Sequence, residues 1–216
     1  MVAGTNSLAG AAARPWFSAT PAALARALER LPAEDALSLP LLDAAARRRL
    51  TAATSHLPFR AAVPVIGEGA KAVYQQFDLC MRIPGGSVFH DFATALETLV
   101  DEALACLPDP PVARPFRFND LIVQRYERGA LGITAHRDHR RYEGLIAVIP
   151  LSGAARFFVC ADRAGHAARE VPAPPGSLVL MRGPGYAGRA DRPFHLVRDI
   201  GCRRLSLGLR YDAHAA

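Results

Sequence analysis

His136-Arg137-Asp138 sets an imidazole and a carboxylate two residues apart, and in extended backbone residues so spaced point to the same side. Such a pair can offer a metal one nitrogen and one oxygen. A third donor, His195, lies in the run Phe194 to Arg198, which reads as a later strand. Two imidazoles and one carboxylate form a facial triad with three open positions, the donor set of non-haem Fe(II) oxygenases. The lack of a thiolate favours iron over structural zinc. Alone, an H-x-D pair is a weak signal, because such pairs arise by chance and usually sit in solvated turns. His139 is a rival donor to His136, although the two-residue spacing favours His136. His56, His90, His166 and His214 read as surface or capping residues.

The stretch from Arg204 to Tyr211 strengthens the case. Its even positions are Arg204, Ser206, Gly208 and Arg210, and its odd positions are Leu205, Leu207, Leu209 and Tyr211. As a strand it has one core face and one cationic face. Six residues of strand hold the two arginines ~20 Å apart. Their side chains reach back toward each other and leave a gap about the length of a five-carbon diacid, kept open by Gly208. An exposed sheet face with solvated arginines is the plain alternative, but inward-facing arginines need anions, and a dicarboxylate supplies two.

The elements that must position these residues divide the chain in two. Residues 1–19 show no period and read as a flexible tail. Thr20-Pro21 reads as a helix start, with Leu24, Leu28 and Leu31 on its stripe and an end near Pro32; Asp43 to His56 reads as a second helix. Phe89 to Leu107 has the clearest helical period, carried by Leu96, Leu99, Ala103 and Leu107. After Pro110-Pro111 the pattern turns to short β-type runs, at Asp120 to Tyr126, Leu145 to Leu151, Arg156 to Cys160, Ser177 to Met181, Phe194 to Arg198 and Arg204 to Tyr211. We therefore expect one α+β domain in which a helical extension, residues 20–112, covers a catalytic β core at 113–216.

At 216 residues and 50% hydrophobic content the chain can fill a core without staples, so a metal would be functional rather than structural. Four scattered cysteines without a CxxC pair suit a reducing compartment. No apolar run approaches ~18 residues and no signal-peptide stretch opens the chain, so a cytoplasmic protein without a membrane partner is expected. The first 28 residues carry arginines and no acids, a weak transit-peptide-like bias. The net charge of +6 is compatible with nucleic acid. It is weak support, because Lys71 is the only lysine among 26 basic residues and the skew to arginine looks compositional.

From about Phe116 to Tyr211 the chain resembles the AlkB-like branch of the 2-oxoglutarate/Fe(II) dioxygenases. The resemblance rests on Gln124-Arg125-Tyr126, the H-R-D at 136–138, His195 and RLSLGLR at 204–210, in that order. It implies a double-stranded β-helix (jelly-roll, cupin-like) core, with Fe(II) held by His136, Asp138 and His195, and 2-oxoglutarate and O2 as cosubstrates. Arg204 would pair with the distal carboxylate of 2-oxoglutarate, with Tyr126 and Ser206 hydrogen-bonding nearby. Gln124 and Arg210 would lie near its metal-chelating end. Ser206 stands where the family more often has asparagine, and its hydroxyl can still donate.

The departures concern the substrate. In base-dealkylating relatives an acid often follows the H-x-D pair closely, whereas here His139-Arg140-Arg141 intervenes before Glu143. No nucleotide-recognition lid is recognisable, and Trp16 is the only tryptophan for stacking on a flipped base. Two readings of equal weight follow. One is oxidative demethylation of alkylated DNA or RNA, with a role in DNA repair. The other is hydroxylation of a small anionic metabolite or a protein side chain, with Arg137, Arg140 and Arg141 lining the pocket beyond the iron. A non-catalytic β-helix binding module is the remote third, expected to have lost a ligand or a cosubstrate arginine.

Overall fold

The computed structural model describes residues 16–215. Its core is a pair of antiparallel sheets facing each other, with helices on the outer face of one. The strands are β1 Ala36–Pro40, β2 Arg60–Ala61, β3 Val65–Ile66, β4 Val73–Gln76, β5 Asp78–Cys80, β6 Asp120–Tyr126, β7 Gly132–His136, β8 Tyr142–Ser152, β9 Arg156–Cys160, β10 Arg169–Val171, β11 Ser177–Arg182, β12 Phe194–Arg198 and β13 Arg204–Asp212. The major sheet runs β1-β11-β8-β13-β6-β5-β2 and the minor sheet β10-β9-β12-β7-β4-β3. This is the jelly-roll arrangement expected from the sequence.

Three α-helices precede the core: α1 Pro21–Glu34, α2 Ala44–Ala53 and α3 Val88–Ala105. Thr20 caps α1 by accepting from the Ala23 amide, and Asp43 caps α2 by accepting from the Ala46 amide, each satisfying an amide that has no partner within the helix. Phe92, Leu96, Leu99 and Ala103 of α3 are buried. They share one apolar layer with Leu205, Leu207 and Leu209 of β13 and with Leu145, Ala147 and Ile149 of β8. Period 3.6 and period 2 thus meet across one interface. The other face of β13 looks between the sheets, where Tyr126, Ile146, Val179 and Met181 form a second apolar cluster with Phe157 and Val197 of the minor sheet.

Two expectations need correction. Trp16 to Ala19 are packed rather than part of a tail: Trp16 is 6% exposed and meets Phe92 edge to face at 5.6 Å, because a ring that size gains more from burial than its short segment loses in ordering. Residues 1–15 of the expected tail lie outside the described residues. Residues 20–112 do more than cover the core, since they supply β1, β2 and β5 to the major sheet and β3 and β4 to the minor one. Four of them, β2 to β5, are two to four residues long, too short for an alternating pattern to emerge from the sequence. Among the described residues no helix is long and apolar enough to cross a membrane.

Candidate metal centre

The last residue of β7 and the second residue of β12 face each other directly, His136 opposite His195 in the antiparallel register. Cross-strand partners stand close enough for their side chains to meet, and the two imidazole centroids are 4.2 Å apart. Asp138, two residues past His136, returns to the same side. Its Oδ1 lies 3.6 Å from Nε2 of His136 and 3.5 Å from Nε2 of His195. Nδ1 of His136 makes a 2.9 Å hydrogen bond with the Thr134 carbonyl, which leaves Nε2 for the site and sets the ring's tautomer. His195 is stacked on Phe157, 5.7 Å away with the ring planes 17° apart.

The protonation states suit a metal. Burial, with His136 and Arg210 nearby, pushes His195 down to about 3 against the pull of Asp138, so the ring is neutral at ordinary pH, the form that binds metals. Burial alone would raise the Asp138 carboxyl. Arg210 and the two imidazoles outweigh it and hold the group well below the usual carboxylate range. One donor atom from each of His136, Asp138 and His195 lies within 4.8 Å of the others. Ligands ~2.1 Å from one ion at right angles would be about 3 Å apart, so the trio needs only side-chain adjustment to hold one. His139 is exposed and falls outside this group.

Across the same cavity stands a second polar set. On the paired strands β6 and β13, Arg204 is opposite Tyr126 and Ser206 opposite Gln124. Arg204 is 2% exposed, donates from Nη1 to Ser206 Oγ at 3.0 Å, and has its guanidinium carbon 5.1 Å from the centre of the Tyr126 ring. Burial lowers its affinity for its proton. No carboxylate pairs with it among the described residues. Burying a charge without an opposite charge is costly, and a carboxylate-bearing ligand would relieve that cost in bidentate geometry. Arg210, six residues further along β13 on the same face, instead donates from Nε to Asp138 Oδ2 at 3.0 Å. Gly208 makes room for it, because a Cβ there would stand 3.2 Å from Arg210 Nη1. Gln124, Tyr126, Arg204 and Arg210 line one cavity with the triad, walled otherwise by apolar side chains such as Val148, Phe157 and Met181.

No family model and no curated protein matches the sequence. Solved structures do match it in shape. A 2OG-Fe(II) oxygenase family oxidoreductase from Burkholderia pseudomallei aligns at TM-score 0.58 and 19% identity, covering 89% of this chain and 92% of that one. The fold is that of the 2-oxoglutarate/Fe(II) oxygenases. A Pseudomonas putida prolyl-4-hydroxylase aligns at TM-score 0.59 and 18% identity, over 87% of this chain and 98% of its own. A Trichoplax adhaerens prolyl hydroxylase, solved with a hypoxia-inducible-factor peptide fragment, aligns at 0.61 and 11% identity, over 89% and 90%.

The arginines expected beyond the metal are placed otherwise. Arg137 alternates away from its neighbours His136 and Asp138, as strand geometry requires, and its guanidinium lies 4.0 Å from the centre of the Phe194 ring. Arg141 is engaged with Asp212 at 3.0 Å and with the Tyr142 hydroxyl at 3.2 Å. Arg140 is exposed. None of the three lines the metal cavity. Sequence reasoning also missed Arg192, which donates to the Asp138 carbonyl, and Phe157 behind His195. Alternation along Arg156 to Cys160 could have pointed to Phe157, whereas nothing local marks Arg192.

Proposed function

We propose that this chain is an Fe(II)- and 2-oxoglutarate-dependent dioxygenase, and the observation that carries the reading is the His136–Asp138–His195 triad sharing a cavity with the buried, carboxylate-free Arg204. Bound there, iron and 2-oxoglutarate would supply O2-dependent oxidation of a C–H bond, with the cosubstrate leaving as succinate and CO2. The chain's own part is positional. The imidazoles of His136 and His195 and the Asp138 carboxylate would hold the metal as a facial set and leave its remaining positions to cosubstrate and O2. Arg204, with Tyr126 and Ser206 beside it, takes the distal carboxylate of the cosubstrate, while Gln124 and Arg210 stand toward its chelating end. Arg210 also orients Asp138 through its second oxygen. Val148, Phe157 and Met181 keep water from the reacting centre.

The substrate is the finer question. The AlkB-like order of motifs supports oxidative demethylation of alkylated DNA or RNA bases, in keeping with DNA repair. Hydroxylation of a protein side chain is supported by a groove beside β7, lined by Val65, Tyr74 and Leu131, whose apolar side chains are 43%, 52% and 50% exposed, a rim suited to an extended peptide. A small anionic metabolite is the remaining reading, and the free thiols fit a reducing, cytoplasmic setting. Succinate formation with Fe(II), 2-oxoglutarate and O2 across methylated DNA, methylated RNA, peptide and metabolite panels tests the proposal. Stimulated turnover that disappears in His195→Ala supports it. A protein that shows neither stimulated nor uncoupled turnover, and takes up no divalent metal, is a binding module instead.

A further inference from the structure

Arg182 ends β11 with its side chain 2% exposed, and its partners come from two separate segments. Nε donates to Asp35 Oδ1 at 2.7 Å, Nη1 to the Asp191 carbonyl at 2.9 Å and Nη2 to Asp191 Oδ2 at 2.7 Å. Nη2 also lies 2.6 Å from Asp35 Oδ1. Arg189 grips the same Asp191 carboxylate, from Nε to Oδ1 at 3.1 Å and from Nη2 to Oδ2 at 3.2 Å. Asp35 stands between α1 and β1, whereas Asp191 belongs to the loop 183–193, which runs straight into β12 and His195. A buried guanidinium needs its charge matched, and one carboxylate would do that. The second, together with the bond to the Asp191 main chain, pins a loop residue in place.

The three donor side chains differ in how they are oriented. His136 is set by the Thr134 carbonyl and Asp138 by Arg210. Nδ1 of His195 is buried without a full hydrogen bond, and the ring's backbone contact is with Pro193 of the loop that precedes it. Its aim therefore depends on where β12 begins and on the Phe157 ring stacked against it. From Asp191 to His195 is four residues, at most ~14 Å of chain, and Pro193 fixes its own φ and restricts Arg192 before it. So short and stiff a segment carries the position of Asp191 into that of His195. It also reaches Asp138, because Arg192, next to Asp191, donates to the Asp138 carbonyl. We infer that Arg182 and Asp191 are positioning residues of the metal centre, holding the end of the 183–193 loop so that His195 and Asp138 meet His136 at ligand distance, a role that rests on the triad being a metal site.

The test is calorimetric titration of the metal-free, full-length protein with Co(II), whose visible absorption also reports the geometry of its ligands. Asp191→Ala should bind Co(II) about tenfold more weakly or worse, as when groups that orient metal ligands are removed, with an altered absorption band. Hydrogen exchange should quicken around residues 191–195. Asp35→Gly is the control: it takes the other carboxylate from Arg182, and glycine suits the φ of +60 at that position. It should lower the thermal midpoint, since it too leaves Arg182 short of a partner, yet keep Co(II) affinity within about twofold. Asp191→Asn, which turns an amide toward two guanidiniums, serves if the alanine variant does not fold, and should weaken Co(II) in the same direction. Unchanged Co(II) affinity in a folded Asp191 variant, or an equal loss in Asp35→Gly, overturns the positioning role while the metal site stands. A wild-type protein that takes up no Co(II) overturns the metal site and the positioning role with it.

Discussion

Arg204 is the side chain least explained by folding alone. A guanidinium 2% exposed, with a hydroxyl and a ring beside it but no acid, is a charge buried at a cost that packing does not offset. Replacing it by a residue of similar volume should therefore spare stability and abolish the ligand response. Arg204→Met is expected to keep or raise the thermal midpoint of the protein without ligand. Added 2-oxoglutarate should raise the wild-type midpoint through mass action and leave that of Arg204→Met unmoved. In turnover the variant should need far more 2-oxoglutarate but little more iron. A midpoint lowered by several degrees, with an intact 2-oxoglutarate shift, would mark Arg204 as structural.

Strands β7 and β12 form the bracket that brings His136 to His195, and one glycine allows their approach. Gly132 sits at φ +82, and a Cβ there would be 2.0 Å from the Val197 carbonyl oxygen, in the stretch where the register slips between His195 and Val197. Bulges of this kind re-aim a side chain beside a site. Gly132→Ala should cost more than the ~1–3 kcal/mol of a strained backbone conformation, because the strands must also part. Urea unfolding would show the loss of stability. Metal titration under fully folding conditions should show weakened affinity as well, since the parted strands carry two of the proposed ligands, His136 and His195. Lost stability with unchanged metal affinity would mean that the bracket tolerates the shift.

Over the whole molecule, the apolar layer beneath α3 and the polar cavity lie on opposite faces of the major sheet, so stability and chemistry can be perturbed separately. Trp16, packed edge to face on Phe92 and covered by Arg49 at 4.6 Å, belongs to the layer far from the metal ligands. Trp16→Ala should cost about 3 kcal/mol or more, as large-to-small changes at buried aromatic rings do. The denaturant midpoint should fall with little change in slope, and metal affinity in the folded protein should hold. A parallel loss of metal affinity would show that the two faces are coupled through the sheet.

Residue types and spacing alone pointed to His136, Asp138 and His195 as candidate donors, to the cationic face of β13 and to its order after His195, because strand alternation is a local rule that fixes which neighbours share a side. Three helices and six strands of the core were legible for the same reason, each being long enough to display its period. The strand that carries His136 was not, because Gly132 to His136 shows no clear alternation and is held by its neighbours β4 and β12. Only the tertiary structure decided that Arg210 turns back onto Asp138, that Arg141 is taken up by Asp212, that Arg192 reaches the Asp138 carbonyl, and that Arg137 and Arg163 meet at the Phe194 ring. Each of these contacts joins side chains from different strands and loops, and the lengths and charges of long flexible side chains permit many partners. Which partner is met depends on how the sheets stack, and that is a property of the assembled core rather than of any segment within it.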